Sequence, residues 1–296
     1  MKKKKKKINM KRVLILLVAI AVVTVISMKL NKKQGDTKSV ALENTTEQES
    51  NTNENISNES KENEEDSVLE QKLQSGKILS EEGLPVLMYH FFYDKSKDSG
   101  KDGNWIEISN FEEQMKYLAE NDFYFPTWEQ VENYIDGKQE LPEKSVVITV
   151  DDGDPSFFEL AVPIIQKYKI PTTSFVITYW YGNRASDKQE YVSYQSHSYD
   201  MHKAGSNGKG VMLSWDYDKI KDDILLSRDV LGGADIFCYP FGQYNDLDIK
   251  VLKENGYKLA FTTKGGRVKK GSSKYELPRV RISGNTGMTE FKKKVE

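Results

Sequence analysis

Residues Ile148 to Ser156 read ITVDDGDPS, three acids within four positions behind an apolar run and against a glycine. Carboxylates crowded at the end of a strand repel one another, which costs free energy unless a positive charge is close by. The run before them, SVVITV, has the pattern of a buried strand, and SFFELAVPIIQKYK behind them has the pattern of a helix interrupted near Pro163. TTSFVIT then reads as the next strand. Working outward, LPVLMYHF reads as a strand. SNFEEQMKYLAEND reads as a helix capped by Ser109 or Asn110, with Phe111, Met115 and Leu118 on one face. Toward the C-terminus, SWDYDKIKDDILLSRDVLGG predicts a helix ending at Gly232 and Gly233, DIFCYPFG a strand into a turn, and NDLDIKVLKENGY a helix closed by Gly256. LAFTT and LPRVRI add two strands. Strands alternating with helices predict an α/β domain whose parallel sheet is either open or closed into a barrel. Both architectures build their sites at the C-terminal ends of strands, where Asp151 and Asp152 fall.

The other segments are set apart by composition. Lys2 to Lys7, Lys11 and Arg12 precede the uncharged stretch from Val13 to Met28. A basic block before an apolar run is the layout of an export signal or signal anchor over residues 1–30. With an uncharged run of sixteen residues and no A-x-A type cleavage site, an uncleaved anchor is favoured, with the remainder of the chain outside the cell. Residues 31–83 are dominated by Asn, Glu, Ser, Thr, Lys and Gln, too polar to offset ordering entropy, and predict a solvated tether. Residues 84–296 carry nearly all the aromatics and suffice for one sizeable domain. The single cysteine, Cys238, excludes an internal disulfide, which suits a Gram-positive cell surface. A net charge of -2 and the lack of a phosphate-cradling glycine loop give no sign of nucleic-acid binding, and nothing points to a protein partner.

The sequence has three histidines, His90, His197 and His202. The last two lie five apart in SHSYDMH, a spacing that converges neither on a regular helix nor on a strand, so the chain must turn between them. Two imidazoles and a carboxylate with positions left open are a catalytic divalent-metal pattern.

TVDDG, HSYDMH and YPFG, in that order, resemble the polysaccharide deacetylase (NodB-homology) domain of carbohydrate esterase family 4. PVLMYH and LPRVRI are similar to its poly-N-acetylglucosamine deacetylase subgroup, in which some motifs are circularly permuted. The resemblance covers Leu84 to about Gly287 and implies a distorted (β/α) barrel. It implies Asp151 as general base, Asp152, His197 and His202 as ligands of one divalent ion (Zn2+, with Co2+ or Ni2+ open), and His90 as the general acid. A water activated by the metal would attack an N-acetyl group of an extracellular polysaccharide, poly-β-1,6-N-acetylglucosamine first and peptidoglycan next. In YPFG, Tyr239 and Phe241 become substrate or oxyanion contacts, with the Phe241 N–H as the better donor because Pro240 has none.

Departures from the family pattern sharpen the expectations. The arginine that usually opens the third motif and orients the base is replaced by Cys238, which reads as a small core residue. Arg279 or Arg281 can take over, Arg279 being favoured. Asp154 reads as a helix cap rather than a third metal ligand. Tyr179, Trp180, Tyr181 and Trp215 are candidates for stacking on sugars, with YWYG in a loop. The competing functions are a surface glycan-binding protein that has lost turnover and a metallohydrolase of another bond. The lack of an H-E-x-x-H helix counts against the latter.

Overall fold

The computed structural model describes residues 67–74, 76–100, 102–206 and 208–296. The expected anchor and residues 31–66 of the expected tether lie outside the described residues. Among the described residues, no helix is long and apolar enough to cross a membrane. Residues 67–83, assigned above to the tether, are instead part of the folded unit: residues 67–74 form helix α1, Leu69 and Leu79 are buried, and Ile78 bridges Pro142. These apolar positions were masked in sequence by their polar surroundings.

Among the described residues nine strands follow: β1 Val86–Tyr89, β2 Phe91–Tyr93, β3 Trp105–Glu107, β4 Val147–Val150, β5 Thr172–Val176, β6 Val192–Ser196, β7 Ile236–Cys238, β8 Leu259–Gly265 and β9 Leu277–Arg281. Seven of them close a barrel in the order β1-β4-β5-β6-β7-β8-β9, every neighbouring pair parallel, with β9 pairing back onto β1. Strands β2 and β3 form a separate parallel pair. The helices are α2 Ile108–Glu120, α3 Trp128–Ile135, α4 Val162–Tyr168, α5 Thr178–Ala185, α6 Tyr217–Leu231, α7 Asp246–Glu254 and α8 Met288–Val295.

The two-residue period of the strands divides the core into an inside and an outside. Val86, Val147, Phe175, Ile236, Cys238, Leu259, Phe261 and Leu277 cluster together, and Trp128 of α3 packs against them. Their chain neighbours Leu87, Tyr89, Ile148 and Val150 pack outward on Phe111, Met115 and Leu118 of α2. Phe237, Tyr239 and Ala260 pack outward on Ile220 and Ile224 of α6 and on Val251 and Leu252 of α7. Each Val, Leu, Ile, Phe or Met side chain among them contributes roughly 1.5–3 kcal/mol when fully buried.

Local chemistry moved several boundaries. The cap of α2 is Glu107, whose carboxylate accepts the Ser109 N–H, rather than Ser109 or Asn110. Pro163 cannot donate to the carbonyl four residues back, and the preceding turn, Phe157–Ala161, widens to π geometry with the Val162 N–H reaching Phe157 O. Asp154 caps this helix by accepting the Ser156 N–H at 2.8 Å. YWYG lies in helix α5, not in a loop. Its first two amides, Thr178 and Tyr179, donate to the carbonyls of Ser198 and Tyr199, so a tertiary contact supplies the capping that its sequence lacks.

Candidate active site

Strand β4 delivers both acids to the C-terminal rim. The Asp151 N–H donates to Tyr89 O at 2.9 Å, so strand pairing continues one residue past β4. Asp151 therefore stays in phase with Val147 and Thr149 and turns its carboxylate into the barrel. Asp152 and Gly153 then both adopt left-handed backbone, with φ of 72° and 73°. That conformation costs a residue with a side chain on the order of 1–3 kcal/mol, and such strain is kept where it positions chemistry. Gly153 has a second constraint, since a Cβ there would stand 3.0 Å from Val176 Cγ1.

Arg279 from β9 reaches across the barrel to Asp151. Its Nη1 and Nη2 donate to Asp151 Oδ1 and Oδ2, both at 2.6 Å. Nη1 also donates to Thr149 Oγ1 at 3.1 Å, Nε to Thr262 O at 3.0 Å, and Nη2 meets Cys238 Sγ at 3.1 Å. All five N–H groups are thereby engaged, as a fully buried guanidinium requires. Burial by itself would raise the Asp151 carboxyl, but the Arg279 charge outweighs it and holds the group well below the usual carboxylate range. Arg281, two residues on, is exposed at the rim, where it donates to Asn104 Oδ1. Cys238 is fully buried with its thiol pushed up by burial, which keeps it a neutral S–H 3.6 Å from Asp151 Oδ2. Thr149 was not anticipated from sequence, although its place two residues before Asp151 in a strand was the available signal.

The chain turns between the two histidines through Ser198, whose φ is 75°. His197 Nε2 and His202 Nε2 come to 3.4 and 3.5 Å from Asp152 Oδ1. Asp152 Oδ1 is buried and has no hydrogen-bond partner among the described residues. His197 Nδ1 donates to Cys238 O at 2.7 Å, which fixes the tautomer and leaves Nε2 free to ligate. Burial holds the His202 imidazole down at about 4, so it is neutral at physiological pH, the form that ligates. An orphaned carboxylate oxygen facing two imidazole nitrogens fits a divalent cation, and the three residues form a group able to hold one.

His90 Nε2 lies 3.7 Å from Asp151 Oδ2 at the end of β1. Burial keeps it below its usual value against the opposing pull of Asp151 and Asp152. The YPFG residues part company. Tyr239 points into the outer helical layer, its N–H donates to Phe261 O and its hydroxyl to Tyr275 O, so it offers the site nothing. Strand alternation dictates this, since Cys238 beside it faces inward. Phe241 is 44% exposed, stands in left-handed backbone at φ 59°, and packs its ring 4.3 Å from that of His202. Gly242 behind it is obligatory, because a Cβ would lie 2.7 Å from Thr263 N. Of the four aromatics expected to stack on sugar, Trp180 is 48% exposed with its ring 6.2 Å from His202, whereas Tyr179 leans on Tyr199. Trp215 is half-buried under Lys219.

With this geometry in hand, comparisons with known proteins converge. The polysaccharide deacetylase family model matches residues 138–260. A poly-beta-1,6-N-acetyl-D-glucosamine N-deacetylase of Staphylococcus epidermidis is 30% identical over 206 residues, 63% of this chain and 71% of that protein. The chain belongs to the polysaccharide deacetylase family. A Staphylococcus aureus (strain MRSA252) protein of the same name is 29% identical over 212 residues, 65% of this chain and 72% of that one. Among solved structures, IcaB from Ammonifex degensii superposes with a TM-score of 0.59 at 25% identity, covering 71% of this chain and 95% of that one. The Streptococcus pyogenes deacetylase PplD, in complex with acetate, superposes at 0.63 and 23% identity, covering 72% and 98%, and shares the fold. As a polysaccharide deacetylase, this chain is a hydrolase.

Proposed function

We propose that this polysaccharide deacetylase removes N-acetyl groups from an extracellular N-acetylglucosamine polysaccharide, poly-β-1,6-N-acetylglucosamine first, using one divalent ion, Zn2+, at Asp152, His197 and His202. The observation that carries the reading is the unpartnered, buried Asp152 Oδ1 facing two histidine Nε2 atoms beside an arginine-held Asp151. The substrate is supported by the staphylococcal relatives, which are named for that polymer.

When bound, the ion supplies Lewis acidity that polarises the acetamide carbonyl and acidifies the attacking water. Asp151 takes the proton that this water loses as its oxygen bonds to the carbonyl carbon. A carboxylate held so far down is a weak base. Arg279 therefore exchanges proton affinity for a guaranteed ionised form and a fixed orientation. The Phe241 N–H, which has no acceptor among the described residues, is the donor for the oxygen on which charge develops. His90 gives its proton to the nitrogen as the C–N bond breaks, leaving acetate and a glucosamine unit. Its burial makes it a stronger acid than free imidazole. Phe241 and Trp180, flanking His202, form the apolar wall against which a pyranose face can lie.

The basic block and apolar run at residues 1–30 support placement on the outer face of the membrane, anchored or released. Purified full-length protein, stripped with chelator and reloaded with zinc, is tested for acetate release from poly-β-1,6-N-acetylglucosamine, chito-oligosaccharides and peptidoglycan. Release from the first, lost with chelator and restored by zinc, is the expected result. No acetate from any N-acetylated glycan by the metal-loaded protein overturns the reading.

A further inference from the structure

The spacing of His197 and His202 requires a turn that neither helix nor strand provides, and something must hold that turn. On α6 the buried positions are Ile220, Asp223, Ile224 and Ser227, an i, i+3, i+4, i+7 stripe in which two members are polar. Polar side chains in such a stripe are expensive to bury unless they are bonded. Asp223 is 6% exposed, and its two oxygens go to backbone N–H groups. Oδ1 accepts the Tyr199 N–H at 2.7 Å and Oδ2 the Asp200 N–H at 2.8 Å. One helical turn further on, Ser227 Oγ meets Ser196 Oγ at 2.8 Å, and Ser196 Oγ accepts the Ser198 N–H at 3.2 Å. From the opposite side, the first amides of α5 bond the carbonyls of Ser198 and Tyr199.

The residues between the two histidines are thus gripped on their N–H side by α6 and on their C=O side by α5. We propose that Asp223 and Ser227 are positioning residues that preform the metal-binding turn, so that His197 and His202 already converge on Asp152 before any ion arrives. The proposal rests on the metal reading of that trio. Neither residue touches the ion or substrate. Their effect is to remove, before binding, the ordering that a floppy turn would undergo on binding.

Two measurements on the full-length protein test this. Zinc affinity is read by competition with a chromogenic chelator for wild type, Asp223→Asn, Ser227→Ala and Asp216→Ala. Asp223→Asn keeps the shape but turns an amide N–H toward a backbone N–H. Asp216→Ala removes the N-cap that accepts the Lys219 N–H on the same helix without touching the turn. The expected result is affinity lowered about 10- to 100-fold in Asp223→Asn, less in Ser227→Ala, and unchanged in Asp216→Ala. The second measurement is hydrogen exchange of the Tyr199 and Asp200 amides in metal-free wild type, which needs no variant to fold. Slow exchange supports a preformed turn; exchange at free-loop rates until zinc is added overturns it. Equal zinc affinity in wild type and Asp223→Asn, or an equal loss in Asp216→Ala, also overturns it. A wild type that binds no divalent ion refutes the metal reading itself.

Discussion

Replacing Arg279 with methionine probes the charge pair on which the barrel interior turns. The side chain is fully buried, and its removal strips Asp151, 1% exposed, of a bidentate partner at 2.6 Å. Breaking a buried pair from one side costs about 3–5 kcal/mol, because the remaining charge is left uncompensated. For a domain of this size each kcal/mol lowers the melting temperature by roughly 2–4 °C, so Arg279→Met should melt roughly 6–20 °C below wild type. In wild type the depressed carboxyl contributes stability that is present above its unfolded value and lost as pH falls. In the variant only His90 and His197 still oppose burial, the same carboxyl rises from its depressed value, and the ionised form becomes a penalty that grows as pH rises. His90, 3.7 Å from Oδ2, recovers part of the loss at low pH by protonating. The gap between the two proteins therefore widens from about pH 4 toward pH 8. Calorimetry in the presence of chelator, which removes any compensating cation, reads this directly. The double variant Arg279→Met/Asp151→Asn, with both charges gone, should melt above Arg279→Met. A gap worth less than about 1 kcal/mol, as for an exposed ion pair, would refute the assignment. So would a gap independent of pH, or a double variant whose losses add.

Three other outcomes follow from the same geometry. Asp151→Asn should retain zinc within a few fold while acetate release falls about 10²- to 10⁴-fold, the usual contribution of a general base; loss of zinc binding instead would place Asp151 among the ligands. Burial opposes protonation of His197, but the carboxylates of Asp152, 3.4 Å from Nε2, and Asp151 outweigh it and raise the imidazole well above its usual value. Zinc added to metal-free protein in weak buffer near pH 7 should thus release about one proton from this residue, since ligation needs the neutral ring. Absence of proton release would mean His197 is already neutral. Asp248 on α7 is raised to about 6 by burial, with Oδ1 lacking a hydrogen-bond partner among the described residues. A raised carboxyl disfavours the folded state once ionised, so Asp248→Asn should melt higher than wild type above pH 6 and lose that advantage by pH 4, checked by thermal scans across that range.

How much of this was legible in the sequence follows from where each signal resides. Strand β4 and the acids behind it were readable because an apolar run against a glycine turn is a local pattern, and parallel strands alternating with helices place such turns at one rim. Whether the sheet closed was not local: closure depends on β9 pairing with β1 across nearly the whole domain. Helix α3 was overlooked although Thr127 and Gln130 form a reciprocal capping box, a signal present in the sequence. Strand β6, VSYQS, hides because four of its five residues are only partly buried or exposed, so it lacks an apolar run. Arg279 over Arg281 could be favoured but not decided from a strand pattern, since both lie on one face. The choice is made by depth, Arg279 falling inside the barrel and Arg281 at its rim. Tyr239 shows the reverse failure, where motif position suggested a site residue and alternation beside Cys238 sent the ring outward. The clamp on α6 was least visible of all. An acid and a serine in KIKDDILLS look like solvated helix positions until the buried stripe is phased, and only the folded chain brings them under the turn that lies more than twenty residues before them in sequence. The residue types proposed to ligate could therefore be named from sequence, while the groups proposed to hold them in place come from elements whose proximity no local pattern encodes.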